Sequence, residues 1–504
     1  MSDQVYCGPL SPALQQLGEY LDRFNEGKQG DAGLRRRQWQ AVLQRPLPQA
    51  GIGLDKVLQE LGEQVIPNGS AVPLPGFTSF ITTGATNMGV LASLAAMVAS
   101  PQRIGLTAFQ ELEELSLNWL VELFHLPPGM KGVYSSGGST ANLLALGAAR
   151  QQAFEQRGHD CGRDGVPPGG RIFATAASHR TIHRAAAVLG MGRESVVTVS
   201  SDRAGRMCPR DLAIQIEAAL QQGLIPVAIV ANAGSTSTGV IDPLQAIVQV
   251  ADRFGIWLHV DGAYGLPGIL DERVRPLYAG MERADSVVVD SHKWLGAPVG
   301  IGATLVKDRS LLLRAFTQGA SDYLEGSFVA GEHALTESGF VHSLDSMGIP
   351  YSDFGVELSS PARGAVVWAL LREIGAEGMA ARIRRHNDMA RSLAEQVQAH
   401  PRLELLQVPT LSICCFRYRV EGCDDLNALN RQLHRRLIHR GKNLPSTAVI
   451  DGQLAIRPCF IGARTDWVQV DDLLQDVLDT GDALWAELNA AQTNTTQEIK
   501  TKGN

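Results

Sequence analysis

Five consecutive residues, Asp290-Ser291-His292-Lys293-Trp294, follow the apolar run Val287-Val288-Val289. That run reads as a buried strand, so the lysine stands where a strongly hydrated cation is costly to place. An amine in such a setting can attack a carbonyl and form a Schiff base. A second strand-like run, IWLHVD at 256–261, ends in Asp261, and a carboxylate buried at a strand end needs a partner. A protonated pyridine nitrogen is one such partner, and Gly262 and Ala263 are small enough to let a flat ring approach the backbone. A third segment, VYSSGGSTANLLALGAAR at 133–150, reads as strand, glycine turn and helix. Its free N–H groups and the positive end of the helix dipole form an anion site, to which Ser139 and Thr140 add hydroxyls. It is neither a Walker A loop nor a G-x-G-x-x-G fingerprint.

Alone, every one of these features also has a plainer reading. Lys293 also reads as the first solvated residue after a strand, Asp261 as a helix cap or turn former, and the glycines as an ordinary strand-to-helix turn. Together, a lysine nucleophile, an upstream aspartate and a phosphate cradle are the three parts that pyridoxal phosphate requires.

Such a site needs strands that end side by side. Between Met88 and Leu371, short β-branched runs (171–178, 194–200, 226–234, 256–261, 286–290 and 302–308) alternate with helical patterns. Near-continuous apolar strands separated by helices imply an α/β fold with a mostly parallel sheet covered on both faces, and ligands in such sheets collect at the carboxyl ends of the strands. We expect residues 1–87 to form a helical N-terminal segment and 88–371 the large domain. Residues 372–488 read as a small α+β C-terminal domain, with strands in LSICCFRYRV and QLAIRP, and 489–504 as a disordered tail.

In this order and spacing the motifs resemble the group II pyridoxal-phosphate-dependent amino-acid decarboxylases, over about residues 58–478. That family holds the aromatic-L-amino-acid, histidine, glutamate and cysteine-sulfinate decarboxylases. SFITTGAT at 79–86 and QELEELSLNWLVELFHLPPG at 110–129 resemble its substrate-wall and N-terminal helix segments, and SSGGSTANLLAL its phosphate-binding turn. ATAASHRTIHRAA at 174–186 places His179 where the family stacks a histidine on the pyridine ring. ANAGSTSTGVID at 231–242 puts Thr236 at a cofactor contact and Asp242 at an acidic position.

The resemblance implies a fold-type-I, transferase-like architecture with a seven-stranded, mostly parallel sheet. It also implies pyridoxal 5'-phosphate as cofactor and a homodimer wrapped by its N-terminal helices. By the same resemblance Gly138, Ser139 and His292 hold the phosphate, Asp261 the pyridine nitrogen, and Ala263 packs on the ring face opposite His179. Lys293 carries the cofactor, and Tyr323, in FTQGASDYLEGSF at 316–328, returns the proton after carbon dioxide departs. Phe80 and Thr83 are the candidate substrate residues. The implied reaction is decarboxylation of an L-amino acid to its amine. The alternatives are an aldehyde synthase or another fold-type-I enzyme acting at Cα, and a catalytically silent protein of the same fold. Three departures bear on the substrate: AVPLPGFTSF at 71–80, Gly262-Ala263 after the aspartate, and Ser359-Ser360-Pro361-Ala362-Arg363.

Composition agrees with a large enzyme. The chain has 504 residues, 44% hydrophobic and 19% charged, the latter below the roughly 25% of an average soluble domain. A net charge of -7 with no basic stripe argues against nucleic acid as partner. The seven cysteines, an odd number, show no metal-site spacing, so we expect a reducing, cytoplasmic setting and no metal. The longest apolar stretch, 89–99, is far short of the ~20 residues a membrane helix needs.

Overall fold

The computed structural model describes residues 9–26, 39–40, 43–103, 105, 107–317 and 348–502, the last twelve as backbone only. Its strands in chain order are β1 (Phe77–Thr78), β2 (Lys131–Ser135), β3 (Gly170–Thr175), β4 (Val196–Val199), β5 (Ile225–Asn232) and β6 (Trp257–Asp261). They continue with β7 (Ser286–Asp290), β8 (Gly302–Val306), β9 (Leu403–Gln407), β10 (Cys415–Tyr418), β11 (Leu444–Ile450) and β12 (Gln453–Arg457). Seven of them form one sheet in the order β2-β8-β7-β6-β5-β3-β4. Only β8 runs against its neighbours, pairing antiparallel with both β2 and β7. The mostly parallel α/β sheet expected from the alternating runs is therefore present.

The apolar runs explain the placement. β6, β7 and β8 are buried along their whole length, and β5 at all but its first residue. A strand buried on both faces has no polar alternation to set a helix-like period. The helix Gly138–Glu155 packs along β5, β6, β7 and β8. Its alanines and glycine bury on nearly every side, which lets it sit close to the sheet.

The C-terminal part is built on a second sheet, ordered β1-β11-β12-β10-β9. β1 comes from the N-terminal segment and pairs parallel with β11, Phe77 opposite Leu444 and Thr78 opposite Pro445. The helical range Arg363–Ala399 joins the two cores, with a break at Gly375, where φ is 70° and ψ 169°. Val366, Leu370 and Ile383 bury in the large core, whereas Met389, Leu393 and Val397 bury in the small one. The last helix spans Trp467–Lys502, so its backbone stays helical across 489–502, where the polar composition suggests an unstructured tail. The stretch holds Ala, Gln, Glu and Lys, which are good helix formers, and it continues a helix already docked upstream. Among the described residues no helix is long and apolar enough to cross a membrane.

Two buried histidines make stability pH-dependent. Burial pushes His259 down to about 4 and His386 down to about 3, from an ordinary 6.5. His386 Nδ1 accepts the Trp294 indole N–H at 2.9 Å, which requires the unprotonated nitrogen. Below pH 6.5 the unfolded chain takes up protons that the folded chain refuses, so stability falls with pH between 6.5 and about 4. The slope is roughly 1 kcal/mol per pH unit for each histidine. Melting curves from pH 7 to 5 should show this fall, and His386→Gln should remove about half of it, the His259 share remaining. An unchanged slope in that variant contradicts the assignment.

Candidate active site

The carboxyl ends of β2, β5, β6 and β7 lie at one edge of the large sheet, and a single cavity of about 280 Å³ opens there. Its lining includes Gly138, Ser139, His179, Thr236, Asp261, Ala263, His292 and Lys293. The structure thus brings together every residue assigned from sequence to the cofactor, from segments up to 155 positions apart, 138 to 293. Tyr323 lies outside the described residues.

The two substrate candidates fall elsewhere. Phe80, 67% exposed and with a positive φ of 56°, lines a neighbouring apolar cavity of about 610 Å³ together with Thr236, Ile438, Leu444 and Arg457. Thr83 lines neither cavity; it is buried, and its hydroxyl donates to the Gly84 carbonyl at 3.1 Å.

Lys293 follows β7 in a turn, with its Nζ 2.8 Å from Asp290 Oδ2. Asp290 is 2% exposed, and its Oδ1 has no hydrogen-bond partner among the described residues. The adjoining Trp294 is fully buried, stacked on Tyr264 at 5.2 Å between ring centroids. Tyr264 in turn hydrogen-bonds Ser412 at 2.7 Å, tying the lysine turn to the segment leading into β10. His292 Nδ1 meets the Ile301 carbonyl at 2.9 Å, so it carries the proton; Nε2 lies 3.8 Å from Asp290 Oδ2.

The glycine turn is shaped by close approach. Gly137 caps the helix Gly138–Glu155 with φ 130°, and a Cβ there would stand 2.9 Å from His292 Cε1. A Cβ on Gly138 would meet Asp290 Oδ2 at 2.7 Å and the Ala263 methyl at 3.3 Å. Only bare backbone fits, which leaves the amides of an 18-residue helix directed at the cavity.

Asp261, 7% exposed, accepts from Asn142 Nδ2 at 3.1 Å and from the Ala263 amide at 3.1 Å. His179 Nδ1 faces the Thr181 hydroxyl at 2.9 Å, and burial holds the imidazole below its ordinary range. Asp242 does not reach this cavity: it is buried and accepts from the amides of Met207 and Asn232 and from Asn232 Nδ2. Its role is to hold Asn232 at the end of β5. Arg457, missed from sequence, is 3% exposed and donates to the carbonyls of Phe80, Thr236 and Ser237, fixing the Thr236 turn. Asn142 and Asn232 also line the cavity.

These donors suit pyridoxal phosphate. An anion cradle of helix amides and the Ser139 hydroxyl, with the His292 ring beside it, lies on one side, a buried carboxylate with one side-chain donor on another, and an amine between them. Imidazole and methyl groups, on His179 and Ala263, are available to a flat ring.

Comparison with known proteins agrees. A family model described as the pyridoxal-dependent decarboxylase conserved domain matches residues 38–419. The chain is 29% identical over 435 residues to the aromatic-L-amino-acid decarboxylase of Bacillus atrophaeus, covering 84% of each. It is 26% identical over 455 residues to the 4-hydroxyphenylacetaldehyde synthase of Rhodiola rosea, covering 87% of each. The crystal structure of Oryza sativa TDC with PLP and tryptamine superposes with a TM-score of 0.80 at 24% identity, covering 94% of this chain and 97% of that one, and shows the shared fold. With the match spanning most of the sequence and the cavity carrying the corresponding donors, this chain belongs to the pyridoxal-dependent decarboxylase family and is a carboxy-lyase whose cofactor is pyridoxal phosphate.

Proposed function

We propose that the protein removes the α-carboxylate of an L-amino acid as carbon dioxide and releases the corresponding amine. The observation that carries this reading is the convergence of Lys293, Asp261 and His179 on one cavity beside the Gly137–Gly138 turn. Bound pyridoxal phosphate supplies an electron sink for the pair left at Cα when a bond there breaks. Lys293 would hold the cofactor through its Nζ, which lies in the cavity beside Asp290. Asp261 holds a proton on the pyridine nitrogen, and His179 and Ala263 fix the ring plane between them. The helix amides and the Ser139 hydroxyl would anchor the phosphate, with the His292 ring packed beside it, which would keep the ring from tilting. Thr236 borders both the cofactor cavity and the apolar cavity at Phe80, which favours an apolar or aromatic side chain in the second. Incubation with a panel of the common amino acids, scored for amine, tests the reading; a panel that yields carbon dioxide from none of them contradicts it.

Tyr323 is the proposed acid that returns a proton to Cα. Phenylalanine there removes the proton and leaves the electron pair open to oxygen. Tyr323→Phe should slow amine release and raise aldehyde, ammonia and hydrogen peroxide, with cofactor content unchanged. The Rhodiola rosea relative bears an aldehyde synthase name, so the two outcomes lie close on this scaffold. An unchanged product ratio in the variant assigns the proton to another group.

We also propose a homodimer in a cytoplasmic, reducing compartment. The helix Asn87–Ala99 exposes Val90, Leu91, Met97 and Val98, and the described cysteines are free thiols. A row of large apolar side chains on one surface helix suits contact with a second copy. Met97→Glu should shift the sedimenting species from dimer toward monomer at micromolar concentration; a parent-like dimer contradicts the placement of the interface.

A further inference from the structure

Asp261 and His259 are two residues apart on β6, so their side chains leave the same face of the strand. That face meets the first turn of the helix Gly138–Glu155, and Asn142 projects from it between the two. His259 is 0% exposed and Asn142 1%. Asn142 Nδ2 donates to Asp261 Oδ2 at 3.1 Å and to Thr181 Oγ1 at 3.3 Å, while its Oδ1 lies 2.7 Å from His259 Nε2. We propose that Asn142, held in orientation by His259, is a positioning residue that sets Asp261 and His179 against the cofactor ring as one unit. The proposal rests on the reading of those two residues as ring contacts.

The hydrogen-bond directions close on a single arrangement. An amide oxygen only accepts, so His259 Nε2 carries the proton and Nδ1 is the acceptor. Nδ1 lies 2.8 Å from Ser286 Oγ, which donates to it and accepts from Trp257 Nε1 at 2.8 Å. With the tautomer locked from behind, the Asn142 carbonyl points at His259 and both of its N–H groups point toward the cavity wall. One binds the carboxylate of Asp261. The other binds Thr181 Oγ1, whose own proton then goes to His179 Nδ1 at 2.9 Å. That leaves His179 with its N–H at Nε2. Burial pushes His259 down to about 4, which keeps this imidazole neutral, with a single proton to give, throughout the neutral range. Without the His259 donor, Asn142 can turn over and present its carbonyl to the carboxylate, two acceptors facing each other.

The test compares Asn142→Ser, His259→Leu, His259→Gln and Asp261→Asn with the parent. Two quantities are read: the dissociation constant of pyridoxal phosphate from the apo protein, and the pH titration of the bound cofactor's visible absorbance. Loss of a hydrogen bond to a charged group should weaken cofactor binding about ten- to a hundredfold in Asn142→Ser and His259→Leu. Their absorbance titration should move in the same direction as that of Asp261→Asn. His259→Gln, which keeps an N–H for Asn142, should stay within about threefold of the parent and retain its titration. A purely packing role predicts instead that glutamine and leucine differ only in melting temperature. Parent values in Asn142→Ser and in a folded His259→Leu, alongside a displaced Asp261→Asn, overturn this proposal alone. Parent values in Asp261→Asn overturn the ring-contact reading and this proposal with it. If His259→Leu is not recovered folded, Asn142→Ser carries the same decision.

Discussion

Lys293→Ala should fold, bind pyridoxal phosphate without a covalent link, and lose turnover by roughly 10⁴-fold or more, because the one amine that lines the cavity among the described residues is gone. The same change strips Asp290 Oδ2 of its cation at 2.8 Å. Since Asp290 is buried while the lysine is partly exposed, the unfolding free energy should fall by an amount on the order of 1–3 kcal/mol, read as a lower melting temperature. Borohydride reduction of the loaded parent, followed by peptide mapping, should place the label on Lys293, and the variant should take up none. Label on a different lysine contradicts the assignment.

Asp261→Asn carries the second large effect. The amide keeps the size of the carboxylate and its one oxygen can still accept from either Asn142 or the Ala263 amide, so part of the cofactor should remain bound. It cannot hold a proton on the pyridine nitrogen by charge, and the ring then withdraws electrons less strongly from Cα. Turnover should drop about a hundred- to a thousandfold, the size seen when a pre-organised electrostatic contact to a developing charge is removed. Near-parent turnover with full cofactor content contradicts the role.

The parts of this site that stand at strand ends were open to sequence reasoning because the chemistry and the local fold demand the same short segments. Asp261 ends an apolar run, Lys293 follows one in the turn after β7, and the glycine turn lies between a strand and a helix, so composition and placement coincide. Asn142 and His259 carry no such signal. A polar residue inside an apolar run looks like a flaw until its partner is known, and that partner is 117 positions away. Arg457 is more remote still, 220 positions after the Ser237 carbonyl that it holds.

The smaller sheet was half legible for a comparable reason. β10 and β12 read as strands from β-branched and aromatic runs, whereas β11 carries Pro445 at its second position, which argues against a ladder. It is tolerated there beside β1, a two-residue strand too short to announce itself. The helix through Lys502 was hidden by polarity, since apolar content decides packing and says less about helix propensity.

The most direct test of decarboxylation to an amine is the product balance with an accepted amino acid under air. Carbon dioxide, amine, aldehyde, ammonia and hydrogen peroxide are measured together over the same interval. One amine for each carbon dioxide, with no peroxide above the blank, is the result predicted here; aldehyde, ammonia and peroxide rising in step with carbon dioxide while amine stays absent would contradict it.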